Sequence, residues 1–153
     1  MTSTAPSTFV YVTYIRSTQE KVWNALTDQQ FIKQYWFGVT AESDWKVGSS
    51  WKLTLPDGRT ADSGEILESE APKRLVIKWR NEFMPELNAE GYGKCVFELE
   101  PVNGAVKLTI THSNDTPASK TITAVSGGWP RILSNLKSLL ETGELTFKEK
   151  PAR

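Results

Sequence analysis

The stretch Ile122–Gly143, ITAVSGGWPRILSNLKSLLETG, decides the fold. Its apolar residues Ile122, Val125, Trp129, Ile132, Leu133, Leu136, Leu139 and Leu140 step by three and four. Such spacing lines one face of a helix of about five turns. Gly143 is a natural stop, because glycine accepts the left-handed conformation that ends a helix. The flaw in the pattern is Gly127-Gly128-Trp129-Pro130. Pro130 lacks a backbone donor and crowds the preceding turn, so a kink or a helix restart is expected there. A helix with one apolar face needs a second layer to bury it.

The residues upstream supply that layer. Trp51, Leu53 and Leu55 alternate with Lys52 and Thr54. Pro56-Asp57-Gly58-Arg59 is a hairpin turn, with its glycine where φ can be positive. Thr60 to Ser69 reads as a second strand with Gly64 as a bulge or bend. Ala71-Pro72-Lys73-Arg74 turns the chain, and Leu75, Ile77 and Trp79 alternate with Val76, Lys78 and Arg80. A polar loop runs from Asn81 to about Gly91. Cys95, Phe97 and Leu99 continue the period of two, and after Pro101-Val102-Asn103-Gly104 so do Val106, Leu108, Ile110 and His112. Short connections between such strands give an antiparallel meander.

The N-terminal part adds one strand and two helices. Phe9 to Arg16 is aromatic and β-branched, hence a strand. Ser17 and Glu20 have capping-box spacing, and the helix from Thr18 to Leu26 would bury Val22, Trp23 and Leu26. Thr27-Asp28 offers a second cap ahead of Phe31, Ile32, Tyr35 and Trp36. The predicted architecture is α+β: a curled antiparallel sheet of about seven strands around a long C-terminal helix, with two short helices after the first strand. One helix cannot cover a flat sheet that wide, so the sheet must curl and a gap is expected between the layers. Gly127 and Gly128 would widen that gap. The domain is placed at 9–145, with 1–8 and 146–153 as flexible ends.

Composition excludes several classes. With 18 Lys+Arg against 18 Asp+Glu, the formal net charge is zero, so no phosphate-neutralising nucleic-acid binder is expected. One Cys and one His leave no disulfide framework, no CxxC pair and no usual zinc ligand set. There is no GxGxxG or GxxxxGK[ST] spacing, so no cofactor and no metal is expected. The start, MTSTAPST, is small and polar rather than a basic segment followed by an apolar run. No apolar stretch approaches the roughly 20 residues that span a bilayer, so the expected location is cytoplasmic.

The inward phases gather Trp51, Trp79, Phe97 and His112 on the sheet, with Trp36 where the helix pair meets it and Trp129 and Leu133 on the long helix. An apolar cleft with few polar groups suits a small-molecule site, and these seven residues are the candidate ligand-binding set. A densely filled core would give the same pattern. His112 is the sole catalytic candidate, since imidazole titrates near neutrality; the plain alternative is a strand-end histidine bonded to backbone or water. Tyr92 or Glu65 would be its helper. Cys95 lacks any base at fixed spacing and reads as a buried inert thiol. Arg80 and Tyr92, beside the polar loop, could orient a ligand's polar end, or be surface residues. Glu65, Glu68, Glu82 and Glu86 show no paired-carboxylate spacing.

Tyr14-Ile15-Arg16-Ser17 leading into Glu20-Lys21-Val22-Trp23-Asn24-Ala25-Leu26-Thr27, then Trp36-Phe37-Gly38, Trp45-Lys46-Val47-Gly48 and Gly128-Trp129-Pro130, resembles the START-like (birch-pollen-allergen-like, SRPBCC) superfamily. The likeness is to the branch of the C-terminal domain of the heat-shock-protein-90 ATPase activator, and runs from about Val10 to Gly143. It implies a helix-grip fold, a cavity for apolar molecules and, through the namesake, chaperone contact and a stress-response role. That namesake also uses a further N-terminal domain, whereas about eight residues precede the first strand expected here. Fold alone does not select among the resulting functions. The first expectation is a non-enzymatic binder of a small hydrophobic molecule; the others are a cyclase or dehydratase using His112 in the same cavity, and a chaperone-interacting module.

Overall fold

The computed structural model describes residues 6–148 of the 153. Seven strands form one antiparallel sheet: β1 (Ser7–Ile15), β2 (Thr40–Ser43), β3 (Ser50–Thr54), β4 (Thr60–Glu70), β5 (Arg74–Asn81), β6 (Gly93–Val102) and β7 (Ala105–Asn114), in the spatial order β1-β7-β6-β5-β4-β3-β2. The meander from β2 to β7 is the one expected, and β1 pairs with β7 at its far edge. Two short helices, α1 (Gln19–Thr27) and α2 (Gln29–Tyr35), follow β1, and α4 (Lys120–Thr142) closes the chain's main layer. Two elements were not individually expected: β2, and the single-turn α3 (Pro85–Asn88) inside the polar loop.

Local chemistry explains the boundaries. Thr18, rather than Ser17, caps α1 by accepting from the Lys21 backbone at 3.2 Å. Asp28 caps α2 through the Gln30 N–H at 2.8 Å. Asn103 and Gly104 both have positive φ, 47° and 81°, which is what a two-residue hairpin between β6 and β7 requires.

The α4 helix runs through Gly127-Gly128-Trp129-Pro130 as one element, without the restart that was one of the two expectations there. The stripe is continuous across this segment: Trp129, Ile132, Leu133 and Leu136 are all buried, and tertiary burial outweighs the missing donor. Gly143 ends the helix at φ 80°, its N–H donating to the Leu139 carbonyl. Buried Asn135 then bonds both the carbonyl (3.0 Å) and the N–H (2.7 Å) of Phe147, and donates to the Tyr35 carbonyl. One polar side chain thus joins α4, α2 and the chain that follows. Of the two ends, residues 1–5 and 149–153 lie outside the described residues. Ser7 and Thr8 already pair with Asn114 and Ser113.

Candidate functional site: an aromatic core with two titratable acceptors

The sheet register sets the site. One row across it reads Trp51, Gly64, Trp79, Gly93, alternating the largest side chain with none. The indoles of Trp51 and Trp79 close over the glycine between them, with ring centroids 4.3 Å apart. A Cβ on Gly64 would stand 1.6 Å from the Lys78 carbonyl oxygen, so no side chain fits there. Trp129 from α4 meets Trp79 at 5.7 Å and Phe97 at 5.7 Å, both edge-on, the geometry aromatic pairs prefer. Trp36, at the end of α2, meets Trp129 at 5.3 Å and Trp79 at 6.4 Å.

A buried indole N–H needs an acceptor. Trp129 Nε1 donates to His112 Nδ1 at 3.1 Å, and Trp79 Nε1 donates to Asp62 Oδ2 at 2.7 Å. Burial pushes His112 down to about 4, so its imidazole is neutral and Nδ1 is free to accept. Burial raises Asp62 to about 6, opposed by the Trp79 hydrogen bond and aided by the charge of Glu82. Cys95 is fully buried, its thiol pushed well above the usual range by burial.

The six apolar members of the expected ligand set, Trp36, Trp51, Trp79, Phe97, Trp129 and Leu133, do line one common space, and His112 touches two of them. Trp45, from the connection between β2 and β3, lines it too. The space itself is a cavity of about 20 Å³. A water molecule needs roughly 10–15 Å³ of such volume, so there is room for one. The expected wide gap is filled by the rings themselves. Gly127 faces solvent, and a Cβ on either helix glycine would meet nothing within 4 Å, so these glycines do not shape the sheet-facing side.

The residues expected to assist His112 lie elsewhere. Glu65 is opposite Lys78 on the outer face, and Tyr92 stacks there beneath Lys78 Nζ and Arg80 Cζ at 4.6 and 4.5 Å. Sequence reasoning missed Asp62. It is in phase with Gly64 and Ile66, and that alternation could have placed it inward. The polar loop is braced at both ends. Glu82 accepts from Ser63, Arg80 and Asn88. Glu90 accepts from the Ser119 hydroxyl and the backbones of Lys120 and Thr121 at the start of α4. Burial works against the Glu90 charge, and those hydrogen bonds together outweigh it, holding the carboxyl below its usual range. Among the described residues there is no His/Cys/Asp/Glu grouping suited to a metal ion, and no helix long and apolar enough to cross a membrane.

Comparison with solved structures agrees with this fold. An Hsp90 activator from Plasmodium falciparum matches at 28% identity and TM-score 0.72, covering 87% of this chain and 95% of that one. A protein from Cytophaga hutchinsonii matches at 29% identity and TM-score 0.70, covering 90% and 95%. One from Mesorhizobium loti, at 23% identity and TM-score 0.78, covers 91% and 100% and shows the fold alone. No curated protein matches this chain. The family model described as activator of Hsp90 ATPase homolog 1-like protein matches residues 16–141, which is most of the chain, and the protein belongs to that family.

Proposed function

We propose that this domain works through its outer surface as a contact module for an Hsp90-type chaperone, with the aromatic core as its scaffold. The observation that carries this reading is the cavity of about 20 Å³ between sheet and helix. Small-molecule sites are typically roughly 300–1,000 Å³. With so little room inside, the groups able to meet a partner are on the outside. The family description and the Plasmodium relative, itself an Hsp90 activator, name the partner class. The test is calorimetric titration of the protein into a purified Hsp90-type chaperone, alongside the chaperone's ATP hydrolysis rate. Direct binding with a changed rate is expected. No binding and no change would overturn the reading.

A second reading, a small hydrophobic molecule held between sheet and α4, is favoured by the aromatic lining with Asp62 and His112 as polar handles. It requires the Trp129 side of the core to open. Native mass spectrometry of the protein from its own source would support it by a retained apolar mass, and an empty protein would remove it. The cyclase or dehydratase variant asks more: His112 Nδ1 is already engaged by Trp129, and its proposed helpers are on the other face.

A further inference from the structure

We infer that the outer face of β5 and β6, at the end carrying the α3 loop, is a docking site for an acidic, apolar-bearing peptide segment of a partner protein. The inference rests on the surface-acting reading above and names the surface. Three observations converge. Lys78 and Lys94 are directly opposite each other across β5 and β6. Like charges in that position destabilise a sheet. Neither lysine has a carboxylate within ion-pair distance among the described residues. Lys78 turns its ammonium over Tyr92 rather than toward Glu65, its other cross-strand neighbour. A like-charge pair with no ion-pair partner on an exposed face is complementary to a negative partner.

The surroundings fit a peptide. Tyr92 and Phe83, 41% and 44% exposed, are covered by cations, and Met84, next to Phe83 in the chain, is 37% exposed. Arg80 also covers Tyr92, and Arg59 lies over Phe83 at 4.8 Å. Beside them Arg59, Ser63, Arg80, Glu82 and Phe83 border an open groove of about 600 Å³. Aromatic residues, Met and Arg are the types enriched where proteins meet. Asp57 and Glu82 stand within the patch, paired to Arg59 and Arg80. Both can accept from a peptide's backbone N–H groups, donors that a phosphate group does not offer.

The test uses a fluorescein-labelled peptide of alternating Glu and Leu, read by anisotropy, beside a labelled single-stranded RNA and phosphatidylserine vesicles. The peptide is expected to bind the wild-type protein with an affinity that falls as salt rises. Lys78→Glu with Lys94→Glu should weaken it about tenfold or more, consistent with charge pairs at interfaces. Lys21→Glu with Lys33→Glu, an equal charge change on α1 and α2, should leave it intact. Equal loss in both variants, no peptide binding, or preference for RNA or vesicles would overturn the inference. The chaperone titration separates the two readings. Chaperone binding unchanged by Lys78→Glu with Lys94→Glu refutes this patch and leaves the contact module standing. Peptide binding lost only in the patch variant, with no chaperone binding at all, supports the patch and refutes the chaperone.

Discussion

Strand β5 carries two opposite chemistries on alternate residues. Ile77 and Trp79 point into the core and are 2% and 4% exposed, whereas Lys78 and Arg80 stand outside against Tyr92. On the inner side the indole N–H groups of Trp79 and Trp129 have acceptors and the rings have neighbours: Trp79 is bonded to Asp62 and packed by Trp51, Trp129 and His112. On the outer side two lysines face each other with no carboxylate within ion-pair distance among the described residues, and three large apolar side chains are partly exposed. The proposed surface contact rests on that difference, and it can be broken in four ways.

Gly64→Ala has the largest expected effect. Its Cβ would strike the Lys78 carbonyl at 1.6 Å, and backbone cannot yield as a flexible side chain can. Loss of cooperative folding is expected by circular dichroism; a variant that melts like the wild type would refute the Trp–Gly row as the element that shapes the inner face. Next is Trp129→Ala, which removes a 2% exposed ring and the donor to His112. It should destabilise by about 3–5 kcal/mol in urea unfolding. Trp129→Phe, which keeps most of the ring but loses the N–H, should cost about 1–2 kcal/mol. A Trp129→Ala change below the Trp129→Phe figure would mean the core is looser than its geometry.

The two titratable acceptors set the third test. Asp62 is raised to about 6 in the folded protein, so its contribution to stability is full below its unfolded value near 4 and is lost as pH rises to about 6. His112 is lowered to about 4, so its contribution is present above its unfolded value near 6.5 and is lost as pH falls toward 4. Each amounts to about 3 kcal/mol at roughly 1.4 kcal/mol per pH unit, with opposite sign. The pair therefore offset each other between about pH 4 and about pH 6. Relative to wild type, Asp62→Asn should lose stability on acidification across that window, and His112→Asn should gain it. Parallel stability curves for all three proteins would show that neither group is buried as described.

The smallest effect on folding belongs to the outer face. Lys94→Glu replaces a like-charge pair by an opposite one and should stabilise by about 0.2–1 kcal/mol. The same change should weaken binding to an acidic partner. A variant that is less stable than wild type would mean Lys78 and Lys94 already have compensation, and the contrast between the two faces would fade.

Much of the architecture was legible because it depends on local periodicity. The step of three and four in Ile122 to Leu140 and the step of two in β3, β5, β6 and β7 needed no tertiary information. The four-residue β2 was hidden, because so short a strand shows no period. The membership of the aromatic set was legible for the same reason: Trp51, Trp79 and Phe97 share an inward phase, and Trp129 and Leu133 share the stripe. Whether those rings enclose space or occupy it was not. Trp45 reaches the cluster from the β2–β3 connection, outside the regular elements, and no periodicity predicts that.

The amino-acid sequence alone determined the order of the longer elements, their inward and outward faces, and the apolar stripe of the last helix, since each follows from how side chains project along one helix or one strand. Tertiary structure alone decided what lies across from what. The Trp51–Gly64–Trp79–Gly93 row, the pairing of Trp129 with His112 and Trp79 with Asp62, and the meeting of Lys78 with Lys94 all depend on strand register and layer packing. A shift of one residue in register would turn the side chains of the shifted strand to the other face. The volume left between the layers is a small difference between large packed volumes, and only the assembled fold sets it.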